Sequence, residues 1–194
     1  PALEVDPAAI GAKTMGSPAC ARARLSRLAG ALAPLLLAAA PALADWELKT
    51  PPSAPAARMG HAMAHDPVGG GILLFGGTSG ATLFGDTWRW NGTTWTQLTP
   101  TTSPAPREDH AMTLDVCRGR ILLFGGYASG DGTIEYLGDT WEWNGATWVR
   151  LYPQASPSPR LLSAMTSDLR RGRTVLFGGS TESVGATTPG SGTG

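Results

Sequence analysis

The hexapeptide ILLFGG occupies residues 72–77 and returns letter for letter at residues 121–126, with a third version, TVLFGG, at residues 174–179. The surrounding residues repeat with it. Arg58, Arg107 and Arg160 stand ahead of the three copies, at intervals of 49 and 53 residues (107 − 58 and 160 − 107). GHAMAHD, DHAMTLD and LSAMTSD follow the three arginines. Two copies continue into GDTWRWNGTTW (residues 85–95) and GDTWEWNGATW (residues 138–148). The four extra residues of the second interval fall in one place, between FGG and GDTW.

Local chemistry predicts four strands in each unit. HAMAHD alternates, with His61, Met63 and His65 on one side and Ala62 and Ala64 on the other. An Asp-containing turn (DPVGGG, DVCRGR or DLRRGR) then reverses the chain. ILLF is apolar at every position, as expected of a strand covered on both faces. The glycines behind it suit a positive φ or a close approach by another strand. Asn91-Gly92 and Asn144-Gly145 lie between apolar runs, a hairpin signal. A two-residue turn would put Trp88 opposite Trp95 and Trp141 opposite Trp148, whereas a four-residue turn would pair Trp90 with Trp95 instead. Abundant Gly (26), Pro (16) and Trp (7) with only 15% charged residues also point to turns and short strands.

Arg…His-Ala-Met, Phe-Gly-Gly and Gly-Asp-Thr-Trp-x-Trp-Asn-Gly-x-Thr-Trp, at a period near 50, resemble bacterial kelch repeats, the type also seen in the galactose oxidase propeller. The resemblance runs from Trp46 to Gly179. It implies an all-β, kelch-type β-propeller in which each repeat is one four-stranded blade. WELKTPPSAPAAR (residues 46–58) matches WTQLTPTTSPAPR (residues 95–107) and WVRLYPQASPSPR (residues 148–160), so residues 46–49 read as a fourth strand that closes the ring from the far end. The expected object is an incomplete propeller, an N-terminal fragment of about two and a half blades plus that closing strand. Residues 45–57 form the closing strand and linker, 58–106 the first repeat, 107–159 the second and 160–194 a partial third.

Residues 1–14 form an upstream segment, and residues 15–44 have the plan of an export signal. Arg22, Arg24 and Arg27 precede the uncharged run LAGALAPLLLAAA (residues 28–40), and small residues stand at Ala42 and Ala44. Cleavage is expected before Asp45, giving a secreted or periplasmic product with no membrane contact apart from the signal. The full chain has a formal charge of zero, and the product would keep eleven basic and thirteen acidic residues, a net of −2. Neither balance offers a basic patch for nucleic acid or anionic lipid. Cleavage would also remove Cys20 and leave Cys117 alone.

Candidate chemistry is sparse. His61 and His110 share a slot that Ser163 takes in the third repeat, and they read as repeat-signature residues hydrogen-bonded within the blade. The repeated arginines are expected to brace neighbouring blades through backbone carbonyls, and Asp86 and Asp139 to cap turns. Asn91-Gly92-Thr93 spells a glycosylation sequon and a hairpin turn, of which the turn is the expected role. Galactose oxidase requires a Cys cross-linked to a Tyr with further Tyr and His ligands, and no motif maps that set onto Cys117 or its surroundings. No catalytic residue, metal ligand or cofactor is therefore assigned.

Strand direction alternates within a blade, so the second-to-third loop and the inter-blade link share one face. All length variation falls there: residues 78–84, residues 127–137 and the tail from Ser180. Variable loops on a rigid scaffold are where recognition usually resides. Phe84, Tyr127, Asp131, Glu135 and Tyr136 are the candidate binding residues. The expected function is a non-catalytic exported scaffold that binds protein or carbohydrate. The alternative is an exported sugar-active enzyme, galactose-oxidase-like or sugar-isomerising, with its site in blades outside this sequence.

Overall fold

A computed structural model describes residues 13–16, 47–130 and 133–181. Strand β1 (Lys13–Gly16) comes first. The first repeat supplies β2 (Ala62–Asp66), β3 (Gly71–Phe75), β4 (Thr78–Ser79), β5 (Thr82–Leu83), β6 (Thr87–Trp90) and β7 (Trp95–Leu98). The second supplies β8 (Ala111–Asp115), β9 (Arg120–Phe124), β10 (Tyr127–Gly130), β11 (Thr133–Tyr136), β12 (Thr140–Trp143) and β13 (Trp148–Leu151). The third supplies β14 (Ala164–Asp168) and β15 (Arg173–Phe177). Among the described residues there is no helix.

Two four-stranded antiparallel sheets run β2-β3-β6-β7 and β8-β9-β12-β13, so the FGG strand is second in each, as its apolar run predicts. The first strands β2, β8 and β14 of successive blades lie beside one another and form the inner edge of the stack. The architecture is an incomplete kelch-type β-propeller. In the third repeat β15 pairs with β14 on one side and with β1 on the other, and no described GDTW-type strand lies beside it. A strand edge carries unpaired N–H and C=O groups, and an extended segment of the same chain satisfies them.

Local residues account for the turns. Asp66 Oδ1 accepts from the Val68 and Gly69 amides at 3.1 Å, and Asp115 and Asp168 repeat the turn in their own blades. At the second hairpin the four-residue register is the one adopted: Trp90 faces Trp95 and Trp143 faces Trp148. Asn91 Oδ1 accepts from the Thr93 and Thr94 amides at 2.9 Å, and Asn144 does the same for Ala146 and Thr147. The asparagine thus acts through its side chain, and the glycine behind it takes φ near 98° in both repeats (98° and 99°). The FGG glycines meet both demands made of them. Gly125 and Gly126 have φ of 69° and 98°, and a Cβ on them would lie 2.5 Å from Arg160 O and 2.7 Å from Glu108 O.

Blade one packs on blade two through Leu73, Phe75, Met112, Ile121, Leu123, Trp141, Trp143 and Trp148. Trp148 meets Phe75 edge-on at 5.3 Å and donates Nε1–H to Thr87 Oγ1 at 3.1 Å, while Trp143 donates to Asp66 at 3.2 Å. The tryptophan pair of the second blade therefore faces the first blade. In blade one no described strand covers that side, and Trp90, Trp95, Met63 and Ile72 line a groove of about 340 Å³ with Lys49 and Pro51. Residues 47–57 contain no strand, so the described part of the expected closing strand, residues 47–49, is without sheet pairing, while Trp46 lies outside the described residues. Its linker portion keeps the repeat's contact: Trp95 N donates to Ser53 O as Trp148 N donates to Thr102 O. Cys117, expected to stand alone after cleavage, is disulfide-bonded, and the other cysteine of the chain, Cys20, lies outside the described residues.

The burial difference predicts unequal mutational costs. Trp148 is 1% exposed whereas Trp95 is only half-buried. Trp148→Ala is expected to cost about 3–5 kcal/mol in urea unfolding and Trp95→Ala less than half of that. Equal losses would show that blade one is enclosed on both sides.

Candidate functional site

The face that carries the variable loops is built on a repeated arginine. Arg107 Nη1 donates to Gly125 O at 3.0 Å and to Asp139 Oδ1 at 2.7 Å, and Nη2 donates to Asp139 Oδ2 at 2.9 Å. Arg58 makes the same set with Gly76 O and both oxygens of Asp86, and stacks 4.0 Å from the Phe84 ring centroid. Asp86 and Asp139 also accept the indole N–H of Trp88 and Trp141 at 2.6 Å. These aspartates were expected to cap turns. They are instead the carboxylate partners of the arginines, because a guanidinium this buried requires a bidentate anion. Burial would raise both carboxyls, but the hydrogen bonds and charge of Arg58 or Arg107, with the indole bond, hold them below the usual carboxylate range. The arginine side chain braces its own blade rather than a neighbouring one as expected, because the carbonyl and carboxylate it can reach belong to its own strands, and only its backbone meets the blade before: Gly77 N donates to Arg107 O and Gly126 N to Arg160 O, both at 2.8 Å.

The histidine slot lies at the inner edge of this face. A Cβ on Gly126 would stand 2.8 Å from His110 Cβ, and one on Gly76 3.0 Å from His110 Cε1, so the ring wedges between FGG turns of neighbouring blades. It meets Phe75 edge-on at 5.6 Å. The expected hydrogen bonds within the blade are not made: by strict geometry neither ring nitrogen of His110 has a partner among the described residues, nor do His61 Nδ1 and Ser163 Oγ, and the backbone group that acts on the His110 ring is that of Phe75, in the blade before. Burial first, then the positive charges of Arg107 and His61, push the His110 pKa down to about 3. Burial and Arg58 lower that of His61 in the same direction.

The variable loops are hairpins. In the first repeat β4 and β5 pair Thr78 with Leu83, and in the second β10 and β11 pair Tyr127 with Tyr136. Each hairpin is tied at its base to the residue after the arginine, Met59 to Thr78 and Glu108 to Tyr127. The four-residue insertion therefore lengthens a projecting ribbon. Exposed Glu135 and half-buried Tyr136 line a cleft of about 480 Å³ whose other wall includes Asp139, Trp141 and Arg150. Tyr127 sits at the ribbon base, held by reciprocal backbone bonds to Glu108 at 2.9 and 3.0 Å. Phe84 lies apart from this cleft, against Arg58, and its backbone links Gly77 O to the Arg107 amide, the place Leu137 holds in the second repeat. Asp131 falls outside the described residues. Sequence reasoning missed Arg150 and Trp141 as cleft residues, which only the pairing of β12 with β13 sets opposite each other. Among the described residues no group of three or more His, Cys, Asp or Glu is placed to hold a metal.

The buried histidine predicts a pH dependence. An unfolded chain protonates this imidazole near its ordinary 6.5, whereas the folded chain resists until about 3. Stability therefore falls as the pH drops from 6.5 towards 3, by on the order of 1 kcal/mol per pH unit. Below 3.8, protonation of Asp86 and Asp139 adds to the loss, since their depressed folded values favour the charged native state. His110→Ser, which installs the residue of the third repeat, is expected to flatten urea-measured stability between pH 6.5 and 4. A slope identical to that of the parent chain would place the titration elsewhere.

Comparison with known proteins agrees with this geometry. The model of the KLHDC2/KLHL20/DRC7 Kelch-repeats domain matches residues 42–188, most of the chain. A search of curated proteins found no match. The arginine-to-FGG unit, its four-stranded blades and this family match lead to one conclusion: the chain belongs to the kelch-repeat family.

Proposed function

We propose that the chain is an exported, non-catalytic kelch scaffold that binds a protein partner with the projecting ribbon and cleft of its second blade. The observation that carries this reading is the contrast between the two faces. The Asp and Asn turns on one face keep one length and one hydrogen-bond pattern in successive blades. The opposite face holds a hairpin that grows from the short Thr78–Leu83 pair to the longer Tyr127–Tyr136 pair beside a cleft of about 480 Å³. The rigid base is set by the buried Arg107–Asp139 pair, so the ribbon is presented in a fixed position. Tyr136 and Trp141 supply aromatic surface, and Arg150 and Glu135 supply opposite charges, the mix that protein interfaces favour. The leader-like residues 15–44 support export.

The test is site-specific photo-crosslinking in the producing cell, with the reactive group at Glu135 or, as a control, at Asn91 on the opposite face. A discrete protein adduct is expected from position 135 and not from 91. Exchanging residues 127–136 for the shorter residues 78–83 should reduce it at least tenfold. Equal adducts from both positions would refute the site, and an adduct-free protein that binds carbohydrate through Tyr136 would replace the protein ligand with a glycan.

A further inference from the structure

The two Asn-Gly turns share a geometry that activates the asparagine carboxamide. Asn91 Oδ1 accepts from the Thr93 and Thr94 amides, both at 2.9 Å, and Asn144 Oδ1 from the Ala146 and Thr147 amides, both at 3.0 Å. Two fixed N–H donors on a carbonyl oxygen stabilise the negative charge that develops there when its carbon is attacked. The nearest nucleophile is the next backbone amide. In both turns it belongs to glycine, which has no Cβ to hinder the approach, and neither Gly92 N nor Gly145 N donates a hydrogen bond among the described residues.

The turns differ in how firmly the Asn-Gly peptide is held. Asn144 O accepts from Arg120 Nη1, and Gly145 O accepts from Arg89 Nη2 at 3.2 Å. Ring closure has to turn the peptide plane until the glycine nitrogen meets Cγ, so bonds to the carbonyls on either side oppose it. In the first repeat Gly71 takes the place of Arg120 and brings no side chain to Asn91 O. The exchange is built into the blade, because a Cβ on Gly71 would lie 2.0 Å from Trp90 O. Asn91 is also exposed, whereas Asn144 is half-buried.

We propose that Asn91 is a self-modifying site that converts to aspartate and isoaspartate through a cyclic imide, and that Asn144 is its protected counterpart. Gly92 N gives its proton to solvent base and bonds to Asn91 Cγ. The Cγ–Nδ2 bond then breaks, and Nδ2 takes up a proton and leaves as ammonia. Water opens the imide at either carbonyl, so one water is consumed and one ammonia released, with no change of oxidation state. Opening at Cγ gives aspartate, which still accepts from Thr93 and Thr94 and adds one negative charge. Opening at the main-chain carbonyl gives isoaspartate, whose extra backbone carbon lengthens the turn and disturbs the register that sets Trp90 opposite Trp95. The chain thereby gains charge with age on the face opposite the variable ribbon. The site depends neither on the second-blade cleft nor on export.

The test is peptide mapping by mass spectrometry of the folded full chain during incubation at mildly alkaline pH, with aspartate and isoaspartate products separated by chromatography. Synthetic peptides of residues 88–97 and 141–150 supply the unstructured rates. Asn91 is expected to convert within threefold of its peptide or faster, and Asn144 at least tenfold more slowly than its own. Arg120→Gly, which gives the second turn the residue of the first, should speed Asn144 several-fold and leave Asn91 unchanged. In the urea-unfolded chain the two should convert alike. Equal rates at the two asparagines of the folded chain, an Asn91 more than threefold slower than its peptide, or no gain at Asn144 in Arg120→Gly would each overturn the proposal.

Discussion

A single buried guanidinium holds the ends of three strands together in each complete repeat. Arg107 precedes the first strand, Gly125 O ends the second and Asp139 opens the third, and all meet within 2.7–3.0 Å. Its position where the three strand ends meet explains several other features. The second FGG glycine must be left-handed because the residue after the arginine crosses directly over it, as the 2.7 Å approach of Glu108 O to a Cβ on Gly126 shows. The aspartate must be charged, because a buried arginine without an anion is more costly than an apolar residue in its place. The tryptophan that shares this carboxylate is then fixed in orientation and helps form the wall of the cleft.

Blades are held to one another by a different set of contacts. The His110 wedge, the Trp143 and Trp148 indoles and the Gly77-to-Arg107 backbone bond all cross from the second blade to the first. These contacts are directional: the second blade presents its tryptophans to the first, which meets them with Phe75 of its FGG strand. Only the second blade has a described neighbour on both sides, and it is the one whose apolar strand Ile121–Phe124 is fully buried. The ribbon of residues 127–136 rises from that best-supported blade. Rigid support below a variable projection is the arrangement that recognition needs, because ordering costs are met by the scaffold rather than at binding.

Much of this was legible in the residues, and the failures have physical causes. Recurring apolar hexapeptides at intervals of 49 and 53 residues marked the second strand, and paired glycines marked the close approach, since both depend on local pattern. The aspartate's role was not legible, because its partner lies 28 or 32 residues earlier and only folding brings them together. The hairpin register was open for a similar reason: Asn-Gly fits a two-residue turn until the Asn91 side chain is seen to cap Thr93 and Thr94. The histidine was expected to be hydrogen-bonded, yet it is packed edge-on against a phenylalanine of the previous blade, a contact no single repeat contains. Loop length pointed to the second ribbon. It did not show that Phe84 is occupied by Arg58, nor that Arg150 shares a cleft with Glu135 and Tyr136.

The dependence of the blade on its arginine is most directly tested by a double-mutant cycle between Arg107 and Asp139 in urea unfolding, with Arg107→Met, Asp139→Leu and the pair combined. Each single change leaves one buried charge without its partner and should cost about 3–5 kcal/mol. The combined variant should lose far less than the sum, with a coupling of at least about 2 kcal/mol. Additivity within about 0.5 kcal/mol would show that the two side chains act independently, and the guanidinium would then not be the constraint on which the repeat is built.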